Sequence, residues 1–248
     1  MFQRFVVGLF AASISYGAQA GEAVTYDVNG EPFEGYFAPA SSDSKGLVVV
    51  VHDWDGMTEY EMKRADMLAD MGYDVFALDL FGKGNRPMEM ETRRAETGKL
   101  YKDRERMRAL LLGGLDQARA KSAENTVVMG YCFGGAAILE LARSGKAADI
   151  AGYVSFHGGL ATPEGQSYPL DTPPLLIAHG GADTAVPMSQ VADLSAQLEE
   201  AQISYEIEVY SGAPHAFTVF GSDRYWEVAD KKSWAAFTAF LETQLSGS

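Results

Sequence analysis

Thr126-Val127-Val128-Met129-Gly130-Tyr131-Cys132-Phe133-Gly134-Gly135-Ala136-Ala137-Ile138-Leu139 is the stretch whose reading decides the fold. A β-branched run, Thr126–Met129, enters a tight turn and leaves it as an apolar helix over Ala136–Arg143. Cys132 sits between Gly130 and Gly134, in the G-x-S-x-G layout of a nucleophile elbow with cysteine in the serine position. The physical demand behind the glycines is steric. A strand that reverses into a helix around one exposed side chain strains that residue and brings neighbouring backbone too close for a Cβ. The turn also sets Cys132 at a helix N-terminus, where unpaired N–H groups and the helix dipole favour a thiolate.

On either side the chain alternates short apolar runs with amphipathic stretches. Val24–Val28 and Phe33–Ala38 read as strands joined at Asn29-Gly30, a hairpin turn pair. Leu47–Val51 is continuously apolar, as expected of a strand buried on both faces. Val75–Leu78, Ile150–Phe156, Leu175–Ala178 and Tyr205–Tyr210 are further strands. Helices are expected over Glu59–Met71, Gln190–Ala201 and Tyr225–Leu245. Arg93–Ala120 reads as one long charged helical region, with Gly113-Gly114 as the place for a break. Strands alternating with helices predict an α/β fold: a mostly parallel central sheet with helices on both faces, in one domain over residues 21–248. Ligands of such sheets sit beyond the carboxyl ends of the strands. The loops to inspect are therefore 52–58, 79–90, 130–134, 156–168, 179–188 and 211–224.

A nucleophile needs a base, and the base needs an orienting acid. In an elbow protein the chain order is nucleophile, acid, histidine. Asp183 follows the strand ending in Ala178-His179, within Gly180-Gly181-Ala182-Asp183. Of the four histidines, only His215, in Gly212-Ala213-Pro214-His215-Ala216-Phe217, lies after Asp183. His179 is read as ordering its own loop through a side-chain hydrogen bond. The oxyanion hole is expected from the N–H of Phe133 and from a donor in the His52-Asp53-Trp54-Asp55-Gly56 loop.

Composition narrows the partners. The first twenty residues read as a signal peptide: Arg4, the apolar run Phe5–Ile14, and Ala18-Gln19-Ala20 before Gly21. They predict a periplasmic or secreted protein. Beyond them no apolar stretch is long enough to span a membrane. Without Arg4 the chain carries 19 basic against 34 acidic residues, a net −15, which argues against nucleic acid or an anionic membrane surface as partner. Cys132 is the one cysteine, so no internal disulfide can form, and a thiol in an oxidising compartment points to burial or chemistry. The histidines have no ligand spacing and no glycine-rich phosphate loop follows a strand. No metal or cofactor is expected.

These residues resemble the dienelactone hydrolases, a cysteine-nucleophile branch of the α/β-hydrolase fold. Gly130-Tyr131-Cys132-Phe133-Gly134-Gly135, Gly180-Gly181-x-Asp183, Pro214-His215-Ala216-Phe217 and Asp79-Leu80-Phe81-Gly82 match that family in order, from about residue 24 to the C-terminus. The resemblance implies a hydrolase of carboxylic esters or lactones. It implies Cys132, His215 and Asp183 as its triad, with Phe133 and Trp54 as oxyanion donors. It also implies an acid that contacts and helps deprotonate the thiol; Asp53 stands there, one methylene shorter than the family's glutamate. Two arginines that bind a substrate carboxylate are implied as well. Lys83 and Arg86 lie in the loop of the first. Val219 occupies the place of the second, with Arg224 further along the same loop. Val219 predicts a weaker preference for anionic lactones unless Arg86 or Arg224 fills the gap. The rivals are a non-catalytic small-molecule binder and a thiol redox sensor on the same fold. A binder has no need of Asp183 and His215, and a sensor usually carries a resolving cysteine.

Overall fold

Asn29 and Gly30 both take positive φ, 55° and 85°, as a tight hairpin turn between right-twisted strands requires. They join β1 (Glu22–Val28) to β2 (Glu31–Ala38). The computed structural model describes residues 21–245; the expected signal peptide, residues 1–20, lies outside them. The remaining elements follow in the anticipated alternation. They are β3 (Leu47–Val51), α1 (Glu59–Asp70), β4 (Asp74–Leu78), α2 (Met90–Lys102), α3 (Arg104–Lys121) and β5 (Thr126–Tyr131). After these come α4 (Phe133–Ser144), β6 (Ile150–Phe156), β7 (Leu175–Gly180), α5 (Met188–Glu200), β8 (Tyr205–Tyr210) and α6 (Glu227–Leu245).

The strands form a single sheet in the order β1-β2-β4-β3-β5-β6-β7-β8. Only β2 runs against the others, pairing antiparallel with β1 and β4, while β4, β3 and β5 to β8 are parallel. Alternate residues of each central strand feed the two faces. Val49, Val51, Phe76, Leu78 and Val128 pack with Leu111 and Leu115 of α3, Leu139 of α4 and Leu194 of α5. Val48, Val50, Val75, Ala77 and Val127 pack with Leu68 of α1 and Phe237 and Leu241 of α6. Both faces being covered is why Leu47–Val51 reads as an unbroken apolar run.

The long charged region is broken, but not at the glycines. Asp103 ends α2 with φ −116° and ψ 79°, and its side chain accepts from the Arg106 N–H at 2.9 Å, capping α3. Gly113 and Gly114 are interior to α3. A Cβ on Gly113 would lie 2.6 Å from Val28 Cγ2, and one on Gly114 would lie 2.9 Å from Leu78 Cδ2. They are glycines because the helix lies close on the sheet. α3 also holds the elbow helix: buried Glu140 of α4 pairs with Arg104 of α3 (2.8 Å), with Arg108 of α3, and with Arg143 of its own helix (3.3 Å). A buried carboxylate stays charged only with such partners. Burial works against the ionised form, and the arginines outweigh it, holding Glu140 below the ordinary carboxylate range.

Candidate active site

Cys132 stands alone between β5 and α4, with φ 49° and ψ −109°. A non-glycine residue there carries about 1–3 kcal/mol of strain. The surroundings hold it: the Cys132 N–H donates to Phe156 O at 3.0 Å, and the Ala136 N–H donates to Cys132 O at 3.1 Å. The flanking glycines have no room for side chains. A Cβ on Gly134 would lie 2.2 Å from Val51 O, and one on Gly130 would lie 2.3 Å from the Gly134 carbonyl carbon.

Two further strand ends bring up the partners. Asp183 lies in the turn after β7, where its Oδ1 accepts from the N–H groups of Ala185 (2.8 Å) and Val186 (2.9 Å). Its Oδ2 meets His215 Nδ1 at 2.8 Å, and His215 Nε2 lies 3.1 Å from Cys132 Sγ. The loops after β7 and β8 can approach this closely because the Ala182 N–H donates to Ala213 O at 3.0 Å and Gly180 has no Cβ to strike that carbonyl. Burial opposes ionisation of Asp183, but the bonds from His215, Val186 and Ala185 hold it below the ordinary carboxylate range. Fixed at Nδ1 by a carboxylate, His215 presents Nε2 to the sulfur as a proton acceptor.

The thiol departs from the expected thiolate. Burial pushes Cys132 up from the ordinary thiol range, and Asp53 and Asp183 push the same way. The Phe133 N–H and Arg224 pull against them without prevailing. A helix N-terminus is worth little against desolvation of this size.

Asp53 is buried, with its Oδ1 accepting from the Asp55 N–H at 3.1 Å. Burial, Asp55 and Glu61 push its carboxyl well up. Among the described residues the thiol's side-chain hydrogen-bond partner is His215, and Asp53 influences the sulfur through its field. Its loop is fixed by Glu61, which accepts from the N–H and Oγ of Thr58 in a capping box on α1, and by His52. The ring of His52 accepts from the Leu80 N–H at Nε2 (3.0 Å), so its Nδ1–H donates to Asp53 O (2.6 Å). Trp54 on this loop lies under the Arg93 guanidinium, 5.5 Å from the ring, and Arg93 pairs with Asp55 at 3.6 Å. Asp53, Asp55 and Glu61 bring one oxygen each within 4.8 Å of one another; a cation there would compete with the N–H groups that Asp53 and Glu61 already accept from and with the Arg93 ion pair of Asp55.

The three candidate cations separate. Lys83 bonds Thr25 Oγ1 at 2.8 Å and pairs with Glu34 at 3.1 Å. Arg86 donates to the Asn85 and Glu34 carbonyls and pairs with Asp79. Both are engaged in fixing the loop to the antiparallel edge of the sheet. Arg224 is exposed, and its guanidinium makes no hydrogen bond or ion pair among the described residues. The loop that carries it closes where the Trp226 N–H donates to Phe217 O at 2.9 Å, two residues beyond His215, and its charge reaches both Cys132 and His157.

Sequence reasoning missed several residues at this site. Tyr101 of α2 meets Phe133 edge-on at 5.4 Å, extending an aromatic wall that includes Phe81 and His52, and the sulfur's field reaches its phenol. No motif marks a tyrosine on a polar helix. His157, a histidine that chain order sets aside as the base, packs against His215 from the end of β6. His179 is buried, and its ring lies against the Val186 backbone of its own loop without a hydrogen bond of normal geometry.

The sheet order, the strained elbow and the strand-end loops define an α/β-hydrolase. The match to known proteins is narrower: residues 33–245 fit the model of the dienelactone hydrolase family, and the chain belongs to that family. It is 26% identical over 241 residues to a probable 2-oxo-3-(5-oxofuran-2-ylidene)propanoate lactonase of Bradyrhizobium sp, covering 90% of this chain and 94% of that one. A carboxymethylenebutenolidase homolog of Mus musculus is 27% identical over 208 residues, 77% of this chain and 78% of its own. Among solved structures, m3DLH superposes with a TM-score of 0.83 at 28% identity, over 92% of this chain and all of that one. A dienelactone-hydrolase-like promiscuous phosphotriesterase from metagenomic libraries gives 0.82 at 26%, over 92% and 99%. The protein is an ester or lactone hydrolase.

A thiol held up by burial should be alkylated slowly in the free protein. Iodoacetamide labelling of Cys132 is expected to keep rising with pH past the ordinary thiol pKa of about 8.5. A rate already flat at neutral pH would show a preformed thiolate–imidazolium pair instead.

Proposed function

We propose that the protein hydrolyses a small carboxylic ester or lactone through Cys132, His215 and Asp183, by way of a covalent acyl-enzyme. The observation that carries this reading is the alignment of Sγ, the two ring nitrogens of His215 and Asp183 Oδ2, at 3.1 and 2.8 Å, on a strained elbow. As Sγ attacks the ester carbonyl, its proton passes to His215 Nε2, and Asp183 stabilises the imidazolium that forms. The carbonyl oxygen takes the negative charge. Phe133, whose N–H opens α4, and Trp54, whose N–H meets no acceptor among the described residues, are the donors we assign to it. When the C–O bond breaks, His215 returns the proton to the leaving alkoxide and a thioester remains. Water, deprotonated by the same Nε2, attacks the thioester. Its collapse releases the acid and restores the thiol. Asp53 is read as an acid that raises the cost of a resting thiolate rather than as a base in contact with it.

Cys132→Ala should lower hydrolysis of a p-nitrophenyl ester by roughly 10⁴ or more, as triad deletions do, while the circular dichroism spectrum stays unchanged. Residual activity near one per cent of the parent would place the nucleophile elsewhere.

Arg224 is the residue we assign to substrate charge. It is the candidate cation whose guanidinium is uncommitted, and its field reaches the sulfur, so it can take the place that Val219 leaves empty. A charge-assisted hydrogen bond to a carboxylate is worth about 1.5–3 kcal/mol. Arg224→Gln should therefore cut kcat/KM for a carboxylate-bearing lactone by about tenfold or more, equivalent to ~1.4 kcal/mol, and spare the methyl ester. Equal losses on both compounds, or none on either, would remove Arg224 from this role.

Export to the periplasm or medium is proposed on the pattern of residues 1–20. N-terminal sequencing of the exported protein is expected to begin at Gly21. A cytoplasmic protein retaining Met1 would refute it.

A further inference from the structure

A buried polar chain leads from α1 and α6 to the back of His215, and the mechanism above does not use it. It begins at Arg64, which is 1% exposed, pairs with Asp230 of α6 and donates from Nη2 to Thr218 O at 2.8 Å. The Nε–H of Arg64 donates to the Tyr60 phenol oxygen at 3.3 Å. That oxygen lies 2.7 Å from Thr218 Oγ1, and Thr218 Oγ1 lies 2.8 Å from His157 Nε2. The ring of His157 meets the ring of His215 at 5.4 Å with a 65° interplanar angle, and Phe217 closes on it at 5.3 Å. The four residues come from α1, from the end of β6 and from the loop three residues past His215.

His157 is held with unusual firmness for a residue outside the reacting set. Its backbone is left-handed, with φ 41°, a conformation that costs a non-glycine residue free energy. Its N–H donates to Ala178 O at 2.8 Å, and its ring is wholly buried. Nδ1 has no hydrogen-bond partner, so a second ring proton would add a charge and an unpaired donor to the interior. The charged and titratable groups around it are His215, Arg64, Arg224 and the Tyr131 phenol, whose ring lies at 6.0 Å. Burial first, then His215 and Arg64, push its basicity well below the ordinary histidine range.

We infer that His157 is a positioning residue for His215: the Arg64–Tyr60–Thr218 chain braces it as a neutral ring behind the base, fixing Nε2 of His215 on the Cys132 sulfur. Neutrality matters because His215 becomes a cation during each half-reaction, and a second imidazolium at this distance would oppose that charge inside the protein. Firmness matters because a displacement of about 1 Å at a reacting pair can cost roughly a hundredfold in rate. The inference rests on the assignment of Cys132 and His215 above.

The test compares His157→Leu, which keeps bulk and loses the bond to Thr218, with His157→Gln, which can keep that bond and cannot ionise. Hydrolysis of a p-nitrophenyl ester gives kcat and KM. Iodoacetamide labelling of Cys132 at neutral pH reports the Cys132–His215 pair without turnover. His157→Leu is expected to lose tenfold or more in kcat with KM within twofold, and to label more slowly by a similar factor. His157→Gln is expected to stay within threefold in both, with the pH profile of kcat/KM unmoved. Parent-like kcat and labelling in His157→Leu would overturn the inference and reduce His157 to packing. A loss in His157→Gln as large as in the leucine variant, with a shifted pH limb, would also overturn it, because His157 would then be exchanging protons itself. If His157→Leu does not fold, Tyr60→Phe decides, since it deletes one hydroxyl two links away. A several-fold fall in kcat at constant KM supports the brace, and an unchanged kcat overturns it. Activity surviving in Cys132→Ala would instead bring down the assignment on which the inference stands.

Discussion

The approach of α4 to β3 and β5 at the elbow is the constraint on which the rest of the site depends. Gly134 passes Val51 O so closely that a single added carbon would have to displace backbone. That proximity lets Cys132 sit in a strained conformation at the carboxyl edge of the sheet, with its sulfur facing the loops after β3, β7 and β8. Strain at one residue persists because the neighbours over-determine it: the bond to Phe156 O, the start of α4, and the Glu140 ion cluster that holds α4 to α3. The parallel order β3-β5-β6-β7-β8 then makes Asp183 and His215 near neighbours of Cys132, although 32 and 83 residues separate them along the chain from their partners.

A second consequence is electrostatic. The elbow buries its sulfur beside Asp53, in a loop where three carboxyls crowd together. Each raises the cost of negative charge on its neighbours, so the resting site disfavours the thiolate that a helix N-terminus would otherwise promote. In the mechanism proposed above, a base aligned at 3.1 Å that cannot hold the separated charges at rest is still competent in the transition state. There the sulfur's charge passes to a carbonyl oxygen facing N–H donors, and the imidazolium faces Asp183. Interactions that strengthen only as the reaction proceeds raise kcat rather than tighten the ground state.

Much of this was legible in the sequence because it is dictated by local sterics and chain order. Strand–glycine–cysteine–glycine–helix has few other uses, the acid and histidine follow in the order that a parallel sheet allows, and every expected strand is present. What could not be read depends on tertiary placement. The break at Asp103 rather than at Gly113-Gly114 follows from how closely α3 lies on Val28 and Leu78, which no helical pattern reveals. The field of Asp53, the contact of Tyr101 with Phe133 and the chain from Arg64 to His157 are products of packing between elements far apart in sequence. Lys83, Arg86 and Arg224 look alike as letters. They part only when Glu34 and Asp79 are seen to engage the first two.

The electrostatics also bear on the choice of cysteine. A lone thiol in an oxidising compartment is at risk of oxidation and mixed-disulfide formation, and both proceed through the thiolate. A serine in the same elbow would avoid that risk. Cysteine, however, has the larger and more polarisable atom, and its proton is easier to remove than that of a hydroxyl. Burial and the nearby carboxyls suppress the thiolate at rest, and with it the side reactions; in the proposed mechanism His215 generates it once an ester carbonyl is in reach. The feature that weakens Cys132 as a free nucleophile is then the one that would make a cysteine tolerable under the proposed export, which exposes a thiol to oxidants. A serine would gain nothing from the same arrangement, since its resting hydroxyl needs no such protection.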